Sequence, residues 1–130
     1  TRSTDVFVEL TDRAKIANDA KANAFVSIHA NAAGQTAHGL ETFWNRTHES
    51  AESKRLAETI QKHLVETLKF HDRGAKERDL SVIRNTTMAS VLVELGFITN
   101  VEEAERMKRA SFKEDAATAI FSGILEFYSK

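Results

Sequence analysis

The sequence predicts an α/β fold, built as an open, mostly parallel twisted sheet with helices on both faces. Two short apolar runs without alternation, residues 24–28 and 91–95, are typical of strands that are covered on both faces. Segments with apolar residues at helical spacing lie between and after these runs, and residues 50–70 form the clearest one. Strands that alternate with helices favour a largely parallel sheet.

The composition limits the class of protein. The chain has 130 residues, which is enough for one domain with its own core. Its 18 basic and 19 acidic side chains nearly cancel, so the sequence predicts no nucleic-acid partner. Cysteine is absent, which excludes disulfides and thiolate metal sites. No apolar stretch approaches the length of a membrane span, so the sequence predicts no membrane-spanning helix.

Four elements are predicted in the first half of the chain. Residues 6–22 carry apolar and small side chains near helical spacing, which predicts a helix. The strand at 24–28 is followed by a polar, glycine-containing loop over 29–39. Alternation over 40–44 predicts a second strand near the margin of the sheet. A long amphipathic helix is predicted over 50–70.

The second half begins with polar residues 71–79, which predict a connection that contains a glycine. Two strands are expected at 80–84 and 91–95, with a turn at 85–88 between them. The second of these strands has the unalternating pattern of a buried strand.

Two helices are predicted to end the chain. Asn100 precedes an acidic first turn and is expected to cap one of them. Ser111 and Glu114 have capping-box spacing, which predicts the start of the other. Gly123 lies within the last helix, where its lack of a side chain favours close approach to a strand.

Each buried strand ends in a residue that does not belong in a core, His29 in the first and Glu94 in the second. Ligands of open α/β sheets bind beyond the carboxyl ends of the strands, so we expect both side chains to face one site. A neutral imidazole there is a natural metal ligand, and the carboxylate is a natural general acid or base. The alternative is structural, with His29 hydrogen-bonded at the strand end and Glu94 ion-paired to Arg73 or Arg84.

Several segments carry a family resemblance. In order, "LTDRAKIAN", "FVSIHANA", "GLETFW", "DRGAKERDLSVIRNTTMASVLVELGFITN" and "EEAERM" resemble the zinc-dependent N-acetylmuramoyl-L-alanine amidases, cell-wall enzymes that include autolysins, spore-cortex enzymes and phage endolysins. The resemblance covers essentially the whole chain. It implies one zinc ion held by two histidines and a glutamate, with a second glutamate acting on the zinc-bound water. His29 matches the last zinc ligand, and Glu94 matches the catalytic glutamate.

The resemblance also implies a function. The expected reaction is hydrolysis, by zinc-activated water, of the amide between N-acetylmuramic acid and L-alanine of the stem peptide in peptidoglycan. The enzyme is expected to be secreted, to act in the cell wall and to be a monomer when complete. We expect Arg73 and Arg84 to meet stem-peptide carboxylates, unless they form ordinary ion pairs with neighbours such as Asp79. Asn31 is expected to bind the substrate or to steady its own loop.

The sequence departs from the family pattern at its start. The family's domain begins one strand and one helix earlier, with a glycine-rich turn whose histidine binds zinc, and this segment is not present. We therefore expect residues 1–130 to be an N-terminally incomplete amidase catalytic domain with one of three zinc ligands and with strand edges left exposed. His38, His48 or Glu41 could substitute as ligands. The alternatives are a noncatalytic wall-binding or regulatory remnant, an inactive fragment, or a metal-free hydrolase.

Overall fold

A computed structural model describes residues 10–20 and 22–129 of the chain. The elements in chain order are α1 (Leu10–Asp19), β1 (Ala24–Asn31), β2 (Leu40–Trp44), α2 (Ser50–Leu68), β3 (Asp72–Glu77), α3 (Ser81–Arg84), β4 (Ala89–Phe97), α4 (Val101–Met107) and α5 (Ala110–Tyr128). The four strands found among these described residues form one sheet in the order β1–β4–β2–β3. β1 and β4 pair in parallel, β2 and β3 pair in parallel, and only β2 and β4 are antiparallel. The predicted fold class is confirmed.

The larger core lies between the sheet and the helices α2 and α5. Its buried members include leucines and isoleucines of α2, valines of β4 and the inward side of α5, namely Leu56, Ile60, Leu64, Val91, Val93, Ala116, Ile120 and Phe127. At Gly123 of α5, an added Cβ would lie 3.0 Å from the Cα of Ile60. The predicted close approach of Gly123 therefore exists, but it brings α5 against α2 rather than against a strand.

A smaller cluster covers part of the opposite face. Val82 and Ile83 of α3 pack there with Phe43 of β2 and Leu92 of β4. α1 is tied to this region by Asn18, whose side chain donates to the Asn85 carbonyl at 2.9 Å. Helices therefore lie on both faces, and the thinner layer leaves room for a cleft beside the sheet.

The position of two strands in the sheet differs from the prediction. β2 lies between β4 and β3, and its residues Leu40 to Phe43 are all buried, so the expected marginal position is wrong. Apolar and polar side chains alternate along β2, but both faces of the sheet are covered at this strand, so the alternation does not mark an exposed face. β1 lies at an edge of the described sheet, and Ile28 is 53% exposed, so the prediction that both its faces are covered is also wrong.

Two segments have a different secondary structure from the predicted one. The polar connection over 71–79 is largely the strand β3, which lies at the other edge of the described sheet. Residues 81–84 form the single-turn helix α3 where a strand over 80–84 was expected, and this turn allows the adjacent Val82 and Ile83 to pack in the same cluster. α1 begins at Leu10, and the predicted helical residues 6–9 and 21 lie outside the described residues.

The ends of the helices follow the sequence signals in part. The Asn100 side chain caps α4 by accepting from the Glu103 backbone N–H at 3.0 Å, as predicted. The capping box at Ser111 and Glu114 is wrong, since α5 begins at Ala110 without a side-chain cap. Across the described residues, every helix is too short or too polar to cross a membrane.

Candidate active site

His29 and Glu94 lie next to each other on the neighbouring parallel strands β1 and β4, where their Cα atoms are register partners. Register partners on adjacent strands present their side chains to the same face of the sheet. Both side chains line one cleft of about 350 Å³, on the face that the smaller helical layer covers. The sequence prediction that they share a site is confirmed, while their chemical roles stay predictions.

Glu94 is a nearly buried carboxyl, with 8% of its surface exposed. Burial raises its pKa to about 7, and the negative charge of Glu41 adds to the increase, whereas the positive charge of Arg78 opposes it. Glu41 is the register partner of Glu94 in the antiparallel β2–β4 pair. A carboxyl that titrates near neutral pH can both accept and release a proton under ordinary conditions.

Glu41 is itself buried, with 4% of its surface exposed, and it is held by three side chains. Its Oε2 atom lies 3.1 Å from Lys76 Nζ and 3.5 Å from Arg73 Nε. Its Oε1 atom accepts from Asn31 Nδ2 at 3.3 Å. Because two cations flank it, Glu41 can carry its charge in a buried position beside Glu94.

A bulge in β3 positions the two cations. The register between β2 and β3 shifts after Leu40, so that Arg73 and Gly74 together lie opposite Glu41. Gly74 has a φ of +90°, which glycine adopts far more readily than other residues. The extra residue places Arg73 and Lys76, three positions apart, on the same face, although strict alternation would separate them.

His29 is half-buried, and burial together with the charge of Arg13 lowers its pKa. The imidazole is therefore neutral at physiological pH, as a metal ligand must be. Its Nε2 atom lies 2.9 Å from Ser27 Oγ, whereas its Nδ1 atom has no hydrogen-bond partner in the described part of the chain. Ser27 lies within the extended strand β1, which is not the strand-to-helix turn of a serine nucleophile.

The other predicted site residues, Arg73, Arg84 and Asn31, are bound to partners other than His29 and Glu94. Arg84 forms an exposed ion pair with Asp79 at 2.7 Å, and Arg73 reaches Glu41. Neither arginine is paired with Glu94, so the alternative that Glu94 is ion-paired to Arg73 or Arg84 is wrong, whereas His29 is hydrogen-bonded to Ser27 as the structural alternative expects. Asn31 accepts from its neighbouring backbone N–H at 2.9 Å through Oδ1, so it steadies its own loop in addition to holding Glu41.

The described residues do not by themselves provide a complete zinc centre. Within 10–20 and 22–129, no group of three or more histidine, cysteine, aspartate or glutamate side chains is arranged to hold a metal ion. His38 stacks against His71 with ring centroids 5.0 Å apart, in a separate polar cleft. His48 is exposed in the loop before α2. His38, His48 and Glu41 therefore do not complete a ligand set around His29.

Two features of the site were missed from the sequence. Lys76 of β3 contacts Glu41, and Arg78, directly after β3, lines the cleft. The glycine inside "DRGAKE" was the available signal, since an isolated glycine in a strand often marks a bulge. The sequence suggests Glu41 only as a substitute ligand, because its pairing with Glu94 depends on the antiparallel register of β2 and β4.

Comparison with known proteins identifies the family. The model of the Amidase_3 family, N-acetylmuramoyl-L-alanine amidase, matches residues 1–126. The N-acetylmuramoyl-L-alanine amidase LytC of Bacillus subtilis is 44% identical over 98% of this chain and 26% of its own length. The endolysin of Bacillus phage SPP1 is 42% identical over 97% of this chain and 48% of its own length. The crystal structure of N-acetylmuramoyl-L-alanine amidase from Clostridium difficile 630 superposes with a TM-score of 0.95 at 35% identity, covering 100% of this chain and 70% of that one.

The chain spans less than two thirds of the length of both curated relatives, 26% of LytC and 48% of the endolysin. The family model nevertheless covers almost all of this chain, and the sheet that holds His29 and Glu94 superposes on a solved amidase. The chain belongs to the Amidase_3 family of N-acetylmuramoyl-L-alanine amidases.

Proposed function

We propose that the protein hydrolyses the amide bond between N-acetylmuramic acid and L-alanine in peptidoglycan, and that residues 1–130 belong to its catalytic domain. The observation that carries this proposal is the adjacency of buried Glu94 and neutral His29 in one cleft of an amidase-family chain. A structural carboxylate in this position would be paired with a cation, and Glu94 is instead paired across the sheet with another carboxylate.

Glu94 is proposed to move the protons of the reaction. As general base it accepts a proton from the attacking water, whose oxygen forms a bond to the amide carbonyl carbon. As general acid it then donates that proton to the amide nitrogen, so that the carbon–nitrogen bond breaks and the amine leaves. A pKa of about 7 supports both steps, because the protonated and ionised forms of Glu94 are then similarly populated.

We propose zinc as the cofactor, with His29 as one ligand. A zinc ion polarises an amide carbonyl and acidifies bound water, which suits this reaction. The Nδ1 atom of His29, which has no hydrogen-bond partner among the described residues, and the lowered pKa of His29 support its role as a ligand. The described residues do not supply the three protein ligands that such an ion normally has, so the steps above are assigned to Glu94 alone.

Asn31, Arg73 and Arg84 are proposed to contact the substrate, which is the peptidoglycan stem. Arg73 keeps 33% of its side chain exposed, and together with Lys76 it leaves a net positive charge beside Glu41. Asn31 follows His29 on the same strand and borders the site. We further propose secretion, autolytic action in the cell wall and a monomeric enzyme. A relative from Bacillus anthracis that is named a cell wall amidase supports the wall as the place of action.

The substitution Glu94→Gln in the full-length natural protein tests the proposal. We expect the hydrolysis rate of purified peptidoglycan to fall by about 100-fold or more, because the amide cannot carry the proton. Glu105→Gln is the matched control, since Glu105 is 65% exposed on α4. Full activity of Glu94→Gln would reject its catalytic role. Wall binding without hydrolysis by the wild-type protein would favour the noncatalytic alternative.

A further inference from the structure

Four cations follow one another along residues 73–84, and they are not equivalent. Arg73 and Lys76 are both engaged by the buried carboxylate of Glu41. Arg84, further along the chain, is engaged by Asp79. Across the described residues, Arg78 has an exposed guanidinium with no ion pair to a carboxylate and no hydrogen bond from its side chain. Arg78 therefore contributes a positive charge that no ion pair within the described residues neutralises, and its field reaches Glu94.

The local structure fixes where that charge lies. The Arg78 backbone N–H donates to the Trp44 carbonyl at 2.8 Å, and its carbonyl accepts from Asn45 Nδ2 at 3.1 Å. Its guanidinium lies over the ring of Phe43, with 4.9 Å between the guanidinium carbon and the ring centroid. A guanidinium stacked on an aromatic ring keeps its edge donors available for a ligand.

Arg78 also lies in the same cleft as the proposed chemistry. It lines the cleft together with His29 and Glu94, and the remaining wall is largely apolar, formed by Phe43, Leu80, Val82 and Leu92. Its charge is close enough to Glu94 to act on that carboxyl. Among the described residues that line it, the cleft thus offers an apolar surface for a small side chain and one cation without an ion pair, beside the carboxyl that is proposed to accept a proton from the attacking water.

We propose that Arg78 is a specificity-determining residue that binds the carboxylate of the second residue of the stem peptide, the residue that follows L-alanine. This inference rests on the proposed function, because it assumes that the L-alanine amide is cleaved beside Glu94. The guanidinium fork matches a carboxylate in two hydrogen bonds, and it has no such match with a carboxamide.

The experiment compares two muramoyl-peptide substrates that differ in one group, a free carboxylate or a carboxamide on the second residue. The full-length natural protein is assayed with each substrate, as wild type and as Arg78→Gln, Arg78→Lys and Arg46→Gln. Arg46 is the matched control, because it is 77% exposed on the segment after β2 and loses the same charge. The ratio of kcat/KM between the two substrates is the quantity of interest, since loss of a cation near Glu94 affects both substrates alike.

We expect wild type and Arg46→Gln to prefer the carboxylate substrate by about tenfold, the size typical of a partly exposed charge-assisted hydrogen bond. Arg78→Gln should reduce the ratio to about one, mainly through KM, and Arg78→Lys should retain part of the preference. An unchanged ratio in Arg78→Gln, or equal loss on both substrates, would overturn the inference while leaving the amidase function intact. Failure of the wild type to cleave either substrate would instead reject the proposed function, and this inference with it.

Discussion

Glu41 and Glu94 are register partners in the antiparallel β2–β4 pair, and both carboxyls are nearly buried. The two carboxyls differ in the cations that lie near them. Glu41 lies against Lys76 and Arg73, whereas no described cation is within ion-pair distance of Glu94. The structure thus keeps one carboxylate compensated and leaves its neighbour to titrate near neutral pH.

The first prediction concerns this pair. Glu41→Gln removes a negative charge that raises the pKa of Glu94 and leaves the two cations in place, so the pKa of Glu94 should fall, although burial keeps it above the ordinary value. Carboxyl carbon shifts measured by NMR over pH 4 to 9 report the change. Glu77→Gln serves as the control on the same sheet, since Glu77 pairs with Arg46. An unchanged pKa of Glu94 would show that Glu41 does not act on it.

The raised pKa of Glu94 predicts a specific dependence of stability on pH in metal-free protein. Between the ordinary value of 4.5 and about 7, the folded state binds more protons than the unfolded state, so this group's contribution to stability falls as pH rises. Glu94→Gln removes the cost of the buried charge. It should raise the free energy of unfolding at pH 8 by about 2 kcal/mol and change it little at pH 4. Urea denaturation at both pH values checks this, and an equal effect at both would contradict it.

Glu103 on α4 is predicted to be essential for the loops that flank the site. This buried carboxylate accepts from the backbone N–H of Phe97 at 2.9 Å and from that of Gly39 at 2.8 Å. Glu103→Ala leaves two buried donors without partners and should cost about 3 kcal/mol. Glu105→Ala, two residues away and exposed, should cost less than about 0.5 kcal/mol. Thermal unfolding of both variants measures the difference, and similar Tm values would reject the assigned role.

Metal content tests the proposed role of His29 independently of activity. In the full-length natural protein we expect about one zinc per chain by elemental analysis, and His29→Ala should lower the affinity for zinc at least tenfold. Glu94→Gln should retain zinc, because Glu94 is proposed to act on the water and not on the metal. Wall hydrolysis that is insensitive to a chelator would contradict this account and revive a metal-free mechanism.

The sequence was sufficient where a pattern persists over many residues. α2, β4 and α5 were predicted because helical spacing or an unbroken apolar run specifies each of them. His29 and Glu94 stood out for the same reason, as polar side chains within apolar strands. Parallel pairing of β1 with β4 then brings them to the same edge of the sheet.

The sequence was not sufficient to predict elements and contacts that depend on the position of a strand in the sheet or on the register between strands. β3 is charged because it lies at an edge of the described sheet, and its glycine bulge interrupts the period of two that marks a strand. α3 is one turn long, too short for helical periodicity to be visible. The Glu41–Glu94 pair and the position of Arg78 follow from pairing between segments distant in sequence, and no local pattern encodes them.

The most direct measurement is the identity of the new chain end that the full-length natural protein releases from purified peptidoglycan. The account predicts free amino groups on L-alanine, which appear with the wild-type protein and are lost in Glu94→Gln. New reducing sugar ends, or no new end of either kind with the zinc-loaded wild type, would contradict the central claim that this cleft cleaves the amide between N-acetylmuramic acid and L-alanine.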